Sequence, residues 1–190
     1  MTSLFKVSVV IPVYNAKLFL RQAVESAEKL EEVGEIILVE DGSPDNALEI
    51  CKILELEYSK VKLFRHENGI NKGAGESRNL GIEKAQFNFI SFLDADDWYL
   101  PNRFTLDKEL FKNKNVDGVY GATGFYLEGK GILENELTTF PKKNSPENLL
   151  YKMVKFEGRF TTNAITLRKN LLRKTGLFNS FELHEDTILW

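Results

Sequence analysis

The first hundred residues alternate short β-branched runs with segments whose apolar residues recur at helical spacing. Val7–Val13 is the clearest run and is typical of a strand buried on both faces. Leu18–Leu30 follows, and its apolar positions predict a helix with one buried face. The alternation continues and predicts further strands at Glu35–Glu40, Val61–His66 and Asn88–Leu93, with helices at Glu76–Ala85 and Pro101–Phe111.

Strands that alternate with helices indicate an α/β fold in which a mostly parallel sheet is flanked by helices. Ligands bind such sheets beyond the carboxyl ends of the strands. Polar residues follow three of the predicted strands directly: Asn15 the first, Glu40-Asp41-Gly42-Ser43 the second and Asp94-Ala95-Asp96-Asp97 the fourth. We therefore expect a ligand site at this edge of the sheet.

The second half has a different pattern and predicts a smaller mixed region. Its predicted strands are Asp117–Tyr126, Gly131–Phe140 and Thr161–Arg168, and its predicted helices are 145–156 and Asn170–Thr175, the latter closed by Gly176. The segment 185–190 resembles a helix that is cut short, which predicts that the chain is a fragment of a longer protein.

Composition narrows the possible functions. The chain has 190 residues, 25 basic and 28 acidic, so its net charge of −3 argues against a nucleic-acid partner bound through a basic surface. An apolar fraction of 43% is enough for a folded core. The single cysteine, Cys51, excludes an internal disulfide and fits a reducing compartment. The longest apolar stretch, at 87–93, is too short for a membrane helix.

The acidic cluster Asp94, Asp96 and Asp97 is the strongest chemical signal. Carboxylates this close together repel one another unless a cation or hydrogen bonds offset the charge. Oxygen ligands suit Mg²⁺ or Mn²⁺, which usually also hold substrate phosphates. The alternative is a solvated turn before the helix at Pro101.

The glycine-containing segments 40–43 and 73–79 each allow both a structural and a ligand-binding role. Ser43 followed by Pro44 predicts the start of a helix that Ser43 caps, and this would leave Asp41 free to accept hydrogen bonds from a nucleobase or ribose. The segment 73–79 predicts a turn before a helix, but Arg78 stands where a dinucleotide fingerprint has its third glycine. It would instead place Arg78 near phosphates, or in a surface ion pair.

In order, these segments resemble family 2 glycosyltransferases, which are inverting enzymes with a GT-A fold. The resemblance rests on five motifs between Val7 and Trp190: the first strand 7–15, the turn 40–43, Ser77-Arg78-Asn79-Leu80-Gly81-Ile82, the Asp-x-Asp segment 94–97 with Pro101 beyond it, and Gly176-Leu177-Phe178 with Glu185-Asp186 and Trp190. It implies one GT-A domain over residues 1–190, with a Rossmann-like nucleotide-binding half at 1–100 and an acceptor-side half at 101–190.

The resemblance also implies a reaction and its residues. The donor would be a nucleoside diphosphate sugar, expected to be a UDP-sugar, used with Mn²⁺ or Mg²⁺, and the acceptor a glycan, polysaccharide or lipid-linked sugar. Asp41 would contact the nucleobase, Asp96 the metal, and Asp94 the ribose, the sugar or the metal. Asp186 would be the general base, with Glu185 as the alternative. The implied donor site comprises Pro12, Tyr14, Asn15, Glu40, Asp41, Arg78, Asn79, Asp94, Ala95 and Asp96.

Two other functions are compatible with parts of the sequence. A nucleotidyltransferase can use a similar sheet and acidic site, but it would be expected to have a glycine-rich basic loop after the first strand, and residues 14–17 contain no glycine. A catalytically silent nucleotide-sugar-binding module is compatible with every motif. The expected location is the cytoplasm, either free or at the inner face of the membrane through segments outside this chain.

Overall fold

A six-stranded sheet forms the centre of the molecule. The computed structural model describes residues 5–127, 132–138, 148, 151–152, 155, 161–175 and 177–178. Its strands are β1 (Val7–Val13), β2 (Val33–Glu40), β3 (Val61–Arg65), β4 (Phe89–Phe92), β5 (Gly118–Tyr120), β6 (Thr123–Leu127), β7 (Ile132–Thr138) and β8 (Ile165–Arg168). Its helices are α1 (Leu20–Glu28), α2 (Ala47–Glu57), α3 (Gly73–Lys84), α4 (Thr105–Leu110) and α5 (Lys169–Thr175).

The sheet order is β3-β2-β1-β4-β8-β5. The four strands of the first half pair in parallel, whereas β8 runs antiparallel to both β4 and β5. Strands of the second half therefore extend the sheet of the first half, and β6 and β7 pair antiparallel in a separate two-stranded sheet. The predicted α/β architecture with a mostly parallel central sheet is confirmed.

Both faces of the sheet are covered, as the β-branched strands predict. On one face, Val9 and Ile11 of β1 pack in a cluster with Leu20 of α1 and Leu54 of α2. On the other face, Val10 belongs to a second cluster built around α3, β4, β8 and α5. Successive residues of β1 thus point to opposite buried faces, which explains why that strand is apolar at nearly every position.

Several local predictions differ from the structure, among them the strand Thr161–Arg168, whose first residues form a 3-10 turn at Thr162–Ala164 before β8. Helix α2 begins at Ala47, after a left-handed Asn46, and is not capped by Ser43. Helix α3 begins at Gly73, so the glycines are its first turn and not a loop before it. Only Thr105–Leu110 of the predicted Pro101–Phe111 helix is helical, after turns at 101–104. The predicted strand Asp117–Tyr126 is two strands, because the chain leaves the main sheet after Tyr120.

Helix α3 packs unusually close to the sheet. A Cβ atom at Gly81 would overlap the side chain of Val10 on β1. Glycine at this position lets the helix approach the strand, and the approach holds the start of α3 beside the carboxyl end of the sheet. No helix in the part of the chain described by the structure is long and apolar enough to cross a membrane.

Candidate active site

A cleft of about 490 Å³ opens at the carboxyl edge of the sheet, where the parallel strands β1, β2 and β4 end. Its lining comprises Pro12, Val13, Tyr14, Asn15, Ala16 and Phe19 from the β1 side, Asp41 after β2, Asn71, Gly73, Ala74 and Arg78 from the α3 side, and Asp94, Ala95 and Asp96 after β4. Eight of the ten residues expected in the donor site lie in this lining.

Asp41 is a wall of the cleft and also caps α3. Asp41 is only 2% exposed, and its carboxylate accepts hydrogen bonds from the backbone N–H groups of Lys72 (2.7 Å) and Gly73 (2.8 Å). These donors belong to the start of α3, where unpaired N–H groups and the helix dipole favour a negative charge. The expectation that Asp41 does not cap a helix is therefore wrong, because its carboxylate caps α3.

Ser43 joins the ends of β1 and β2 instead of capping α2. Its hydroxyl donates to the Val13 carbonyl (3.3 Å) and accepts from the Asn15 N–H (3.3 Å). Asn15 has a left-handed backbone, with φ of 53°, a conformation that asparagine tolerates better than most residues. The Ser43 contact thus fixes the turn that brings Tyr14 and Asn15 to the cleft.

Arg78 and Asp94, which both line the cleft, form an ion pair. Arg78 Nη2 donates to Asp94 Oδ1 at 2.8 Å. The arginine is 5% exposed and its guanidinium lies over the Phe178 ring, 5.6 Å from the centroid, whereas the Asp94 side chain is 38% exposed. A buried cation beside the acidic cluster offsets part of its negative charge.

The segment Asp94–Asp97 forms a turn closed by a bond from the Asp97 N–H to the Asp94 carbonyl (3.1 Å). Desolvation by the surrounding protein, followed by the charges of Asp94 and Asp96, raises the pKa of Asp97 to about 6. Asp97 also accepts a hydrogen bond from Asn163. Asp96 is exposed and makes no hydrogen bond or ion pair within the described residues.

The residues present fit a cation that is shared with a bound phosphate. Within the described ranges no group of three His, Cys, Asp or Glu side chains could enclose a metal ion. Mg²⁺ is usually held through one or two carboxylates plus substrate phosphates, with water filling the other positions. Asp96, exposed in the lining of the cleft, and the second oxygen of Asp94 supply such a donor set.

Two expected donor-site residues lie outside the cleft lining. Glu40 is 1% exposed and accepts from the Ser43 N–H (2.6 Å) and from Arg65 Nε (2.7 Å). Burial opposes its ionisation, but these bonds outweigh it and lower the pKa of Glu40. Asn79 makes two hydrogen bonds with the backbone of Phe178, 2.8 and 2.9 Å long. Glu40 thus joins the turn after β2 to β3, and Asn79 joins α3 to Phe178.

Sequence reasoning missed several residues at the site. Phe19, Asn71 and Ala74 line the cleft, and Asn163 lies behind the acidic turn. Nothing in the local sequence marks Phe19 or Asn163, because one belongs to an apolar helical pattern and the other to a predicted strand. The expected bases Asp186 and Glu185, and the expected cap Gly176, lie outside the described residues.

The fold is an α/β fold with an open cleft at the carboxyl edge of its parallel strands, the edge at which such sheets bind ligands, and carboxylates and one buried arginine line that cleft. The chain belongs to glycosyl transferase family 2, whose family model matches residues 8–173.

Individual relatives of the chain are named as glycosyltransferases. Glycosyltransferase GlyG of Streptococcus pneumoniae is 35% identical over 189 residues, which cover 94% of this chain and 59% of GlyG. The UDP-Glc:alpha-D-GlcNAc-diphosphoundecaprenol beta-1,3-glucosyltransferase WfgD of Escherichia coli is 31% identical over 118 residues, 62% of this chain and 45% of WfgD.

The structure of S. aureus TarS 1-349 in complex with UDP-GlcNAc superposes with a TM-score of 0.73 at 21% identity, over 97% of this chain and 52% of that one. The likeness shows that the fold is GT-A, as the resemblance implied. The chain spans roughly half the length of these three proteins.

Proposed function

We propose that the protein transfers a sugar from a nucleoside diphosphate sugar to an acceptor hydroxyl, and that the cleft is its donor site. The observation that carries this proposal is the convergence of Asp41, Arg78, Asp94 and Asp96 on one cleft at the sheet edge. Nucleotides bind parallel sheets at this edge. WfgD is named for a UDP-glucose donor and TarS was solved with UDP-GlcNAc, which supports UDP as the nucleotide.

The cleft offers residues suited to the nucleobase and to the diphosphate of the donor. Tyr14, 53% exposed at the end of β1, offers an aromatic face to the nucleobase, and Asp41 closes the same side of the cleft. Asp94 and Asp96 face the region where the diphosphate would lie, and Mn²⁺ or Mg²⁺ held by Asp96 would neutralise the charge of the leaving diphosphate. Arg78 fixes the Asp94 carboxylate and holds positive charge beside it.

The transfer we propose is a direct displacement with inversion. The acceptor oxygen bonds to the anomeric carbon while the bond from that carbon to the diphosphate oxygen breaks and the diphosphate leaves with the bonding electrons. A base takes the hydroxyl proton, a role that the resemblance gives to Asp186 or Glu185. Residues 101–190 would bind the acceptor, a glycan, polysaccharide or lipid-linked sugar.

A panel of nucleotide sugars tests this proposal through the melting temperature. A ligand that binds only the folded state stabilises it by RT ln(1 + [L]/Kd), so UDP-sugars should raise the melting temperature more than GDP-mannose, and Mn²⁺ should increase the shift. Asp96→Asn should lose the increment due to Mn²⁺. Asp117→Asn, the same change at an exposed aspartate on the approach to β5, should keep it.

Turnover separates the transferase from its alternatives. An inverting enzyme with Asp186 as its base should release UDP from a UDP-sugar. In Asp186→Asn its kcat should fall roughly 10²-fold while its affinity for UDP stays unchanged. Binding without turnover by the full-length protein would favour a silent binding module. Release of pyrophosphate from a nucleoside triphosphate and a sugar phosphate would identify a nucleotidyltransferase.

A further inference from the structure

Asn163 joins the two ends of the acidic turn from a distant part of the chain. Its Oδ1 accepts a hydrogen bond from the Asp94 backbone N–H at 2.8 Å, across 69 residues of sequence. Its Nδ2 donates to the Asp97 carboxylate. One side-chain amide therefore holds the residue that opens the turn and the residue that closes it, with Asp96 between them.

The Asn163 amide is itself held in place. The residue is 9% exposed and lies in a 3-10 turn, Thr162–Ala164, immediately before β8. Arg103 Nε donates to its carbonyl at 3.4 Å, and Arg103 is in turn paired with the buried Asp107 at 2.9 Å. Because both ends of the amide are bonded in a buried position, rotation of the amide would break both bonds.

We propose that Asn163 is the positioning residue of the acidic turn, and that it orients Asp96 toward the cation that the donor phosphates share. This inference rests on the function proposed above. Asn163 is not among the residues that line the cleft, so it acts on Asp96 through the backbone of Asp94 and the carboxylate of Asp97. Without the tether, repulsion would move Asp96 and Asp97 away from Asp94, whose carboxylate Arg78 still holds, and a cation would have to draw them together again.

The affinity of the cation should depend on Asn163 even though Asn163 does not touch it. Some residues hydrogen-bond the ligands of a metal ion without touching the ion, and replacing such a residue typically weakens metal affinity about 10–100-fold. In Asn163→Ala we therefore expect the strengthening of UDP binding by Mn²⁺, measured by calorimetry, to fall about tenfold or more. Affinity for UDP without Mn²⁺ should remain within about twofold, because the nucleobase side of the cleft is not tethered by Asn163.

Ser8→Ala is the matched control. Ser8 is fully buried and its hydroxyl also makes two hydrogen bonds, donating to Glu35 (2.6 Å) and accepting from the Phe87 N–H (3.2 Å). It lies near the opposite end of β1, away from the cleft. The control should lose stability and keep the Mn²⁺ effect, so a general loosening of the sheet is distinguished from loss of the tether.

Hydrogen exchange provides a readout that needs no ligand. The Asp94 amide should lose protection in Asn163→Ala and keep it in Ser8→Ala, since only the first variant removes its acceptor. If Asn163→Ala does not fold, Asp97→Asn and Asp97→Ala test the same tether from its other end. Both substitutions remove one charge, but the side-chain oxygen introduced by Asp97→Asn can still accept from Asn163, so that variant should retain the stronger Mn²⁺ effect.

The outcomes separate the two proposals. UDP binding that Mn²⁺ strengthens equally in the wild-type protein and in Asn163→Ala would overturn the role of Asn163 alone. Equal Mn²⁺ effects in Asp97→Asn and Asp97→Ala would do the same. A wild-type protein that binds no UDP, with or without Mn²⁺, would overturn the proposed function and this inference with it.

Discussion

Replacement of Asp41 by alanine should destabilise the fold as well as the donor site. The buried carboxylate holds the start of α3 through two backbone N–H groups, those of Lys72 and Gly73. A hydrogen bond to a charged group contributes about 1.5–3 kcal/mol, so two such bonds set an upper range of about 3–6 kcal/mol. Water can reach the freed N–H groups from the open cleft, so we expect the lower end, a loss of about 3 kcal/mol.

Urea unfolding of the wild-type and Asp41→Ala proteins measures this loss directly. For a chain of this length a loss of about 3 kcal/mol corresponds to a fall of roughly 6–12 °C in melting temperature. The matched control is Asp45→Ala. Asp45 also accepts two backbone N–H bonds, from Lys17 (2.9 Å) and Ala47 (3.2 Å), but it is partly exposed, so its loss should cost only about 1 kcal/mol.

Equal losses in the two variants, or a loss below about 1 kcal/mol for Asp41→Ala, would refute the assignment of Asp41 as the buried cap of α3. Donor binding supplies a second distinction. Asp41→Ala should weaken UDP binding even without a metal, because Asp41 lines the cleft, while Asp45→Ala should leave it unchanged.

Three further predictions concern the framework. Burial alone would raise the pKa of Glu35, but hydrogen bonds from Ser8, Gln86 and Lys62 outweigh it and lower that pKa. The stability that ionised Glu35 contributes is therefore present above about pH 4.3 and is lost as acid protonates the folded state. In urea unfolding Glu35→Gln should lose less stability than the wild-type protein between pH 5 and pH 3, and equal losses would contradict this. Gly81→Ala should cost about 1–3 kcal/mol of unfolding free energy through overlap with Val10, whereas Gly121→Ala, with ordinary contacts, should cost little, and equal costs would count against close packing of α3. Burial raises the pKa of the Cys51 thiol to about 12, so a thiol reagent should modify it only as fast as the protein unfolds, and rapid labelling of the native protein would show that Cys51 is accessible.

The parallel part of the fold could be predicted because its strands are short and apolar on both faces. Val7–Val13 is such a run, and the rule that ligands bind at the carboxyl ends of parallel strands then predicts where the cleft lies. The antiparallel additions were not predictable in the same way. The sequence of β8 predicts a strand but does not say which sheet contains it. Only the pairing of β8 with β4 shows that the second half of the chain extends the main sheet.

Local signals failed where distant contacts compete with them. Ser43 before Pro44 has the chemistry of a cap, but bonds to the end of β1 hold its hydroxyl and α2 starts later. The prediction that Asp41 is free follows from taking Ser43 as the cap, and nothing near Asp41 in the sequence points to its partners Lys72 and Gly73, which lie about thirty residues away. Asn163 is the extreme case, since its role depends entirely on the fold bringing it behind Asp94.

The most direct test of the donor site is a crystal structure of the protein with UDP and Mn²⁺, with anomalous scattering used to locate the metal. We expect the uracil between Tyr14 and Asp41, the diphosphate near Arg78, and an anomalous peak within coordinating distance of an Asp96 oxygen. A nucleotide bound elsewhere, or a Mn²⁺ ion that bridges the phosphates without Asp96, would contradict the account.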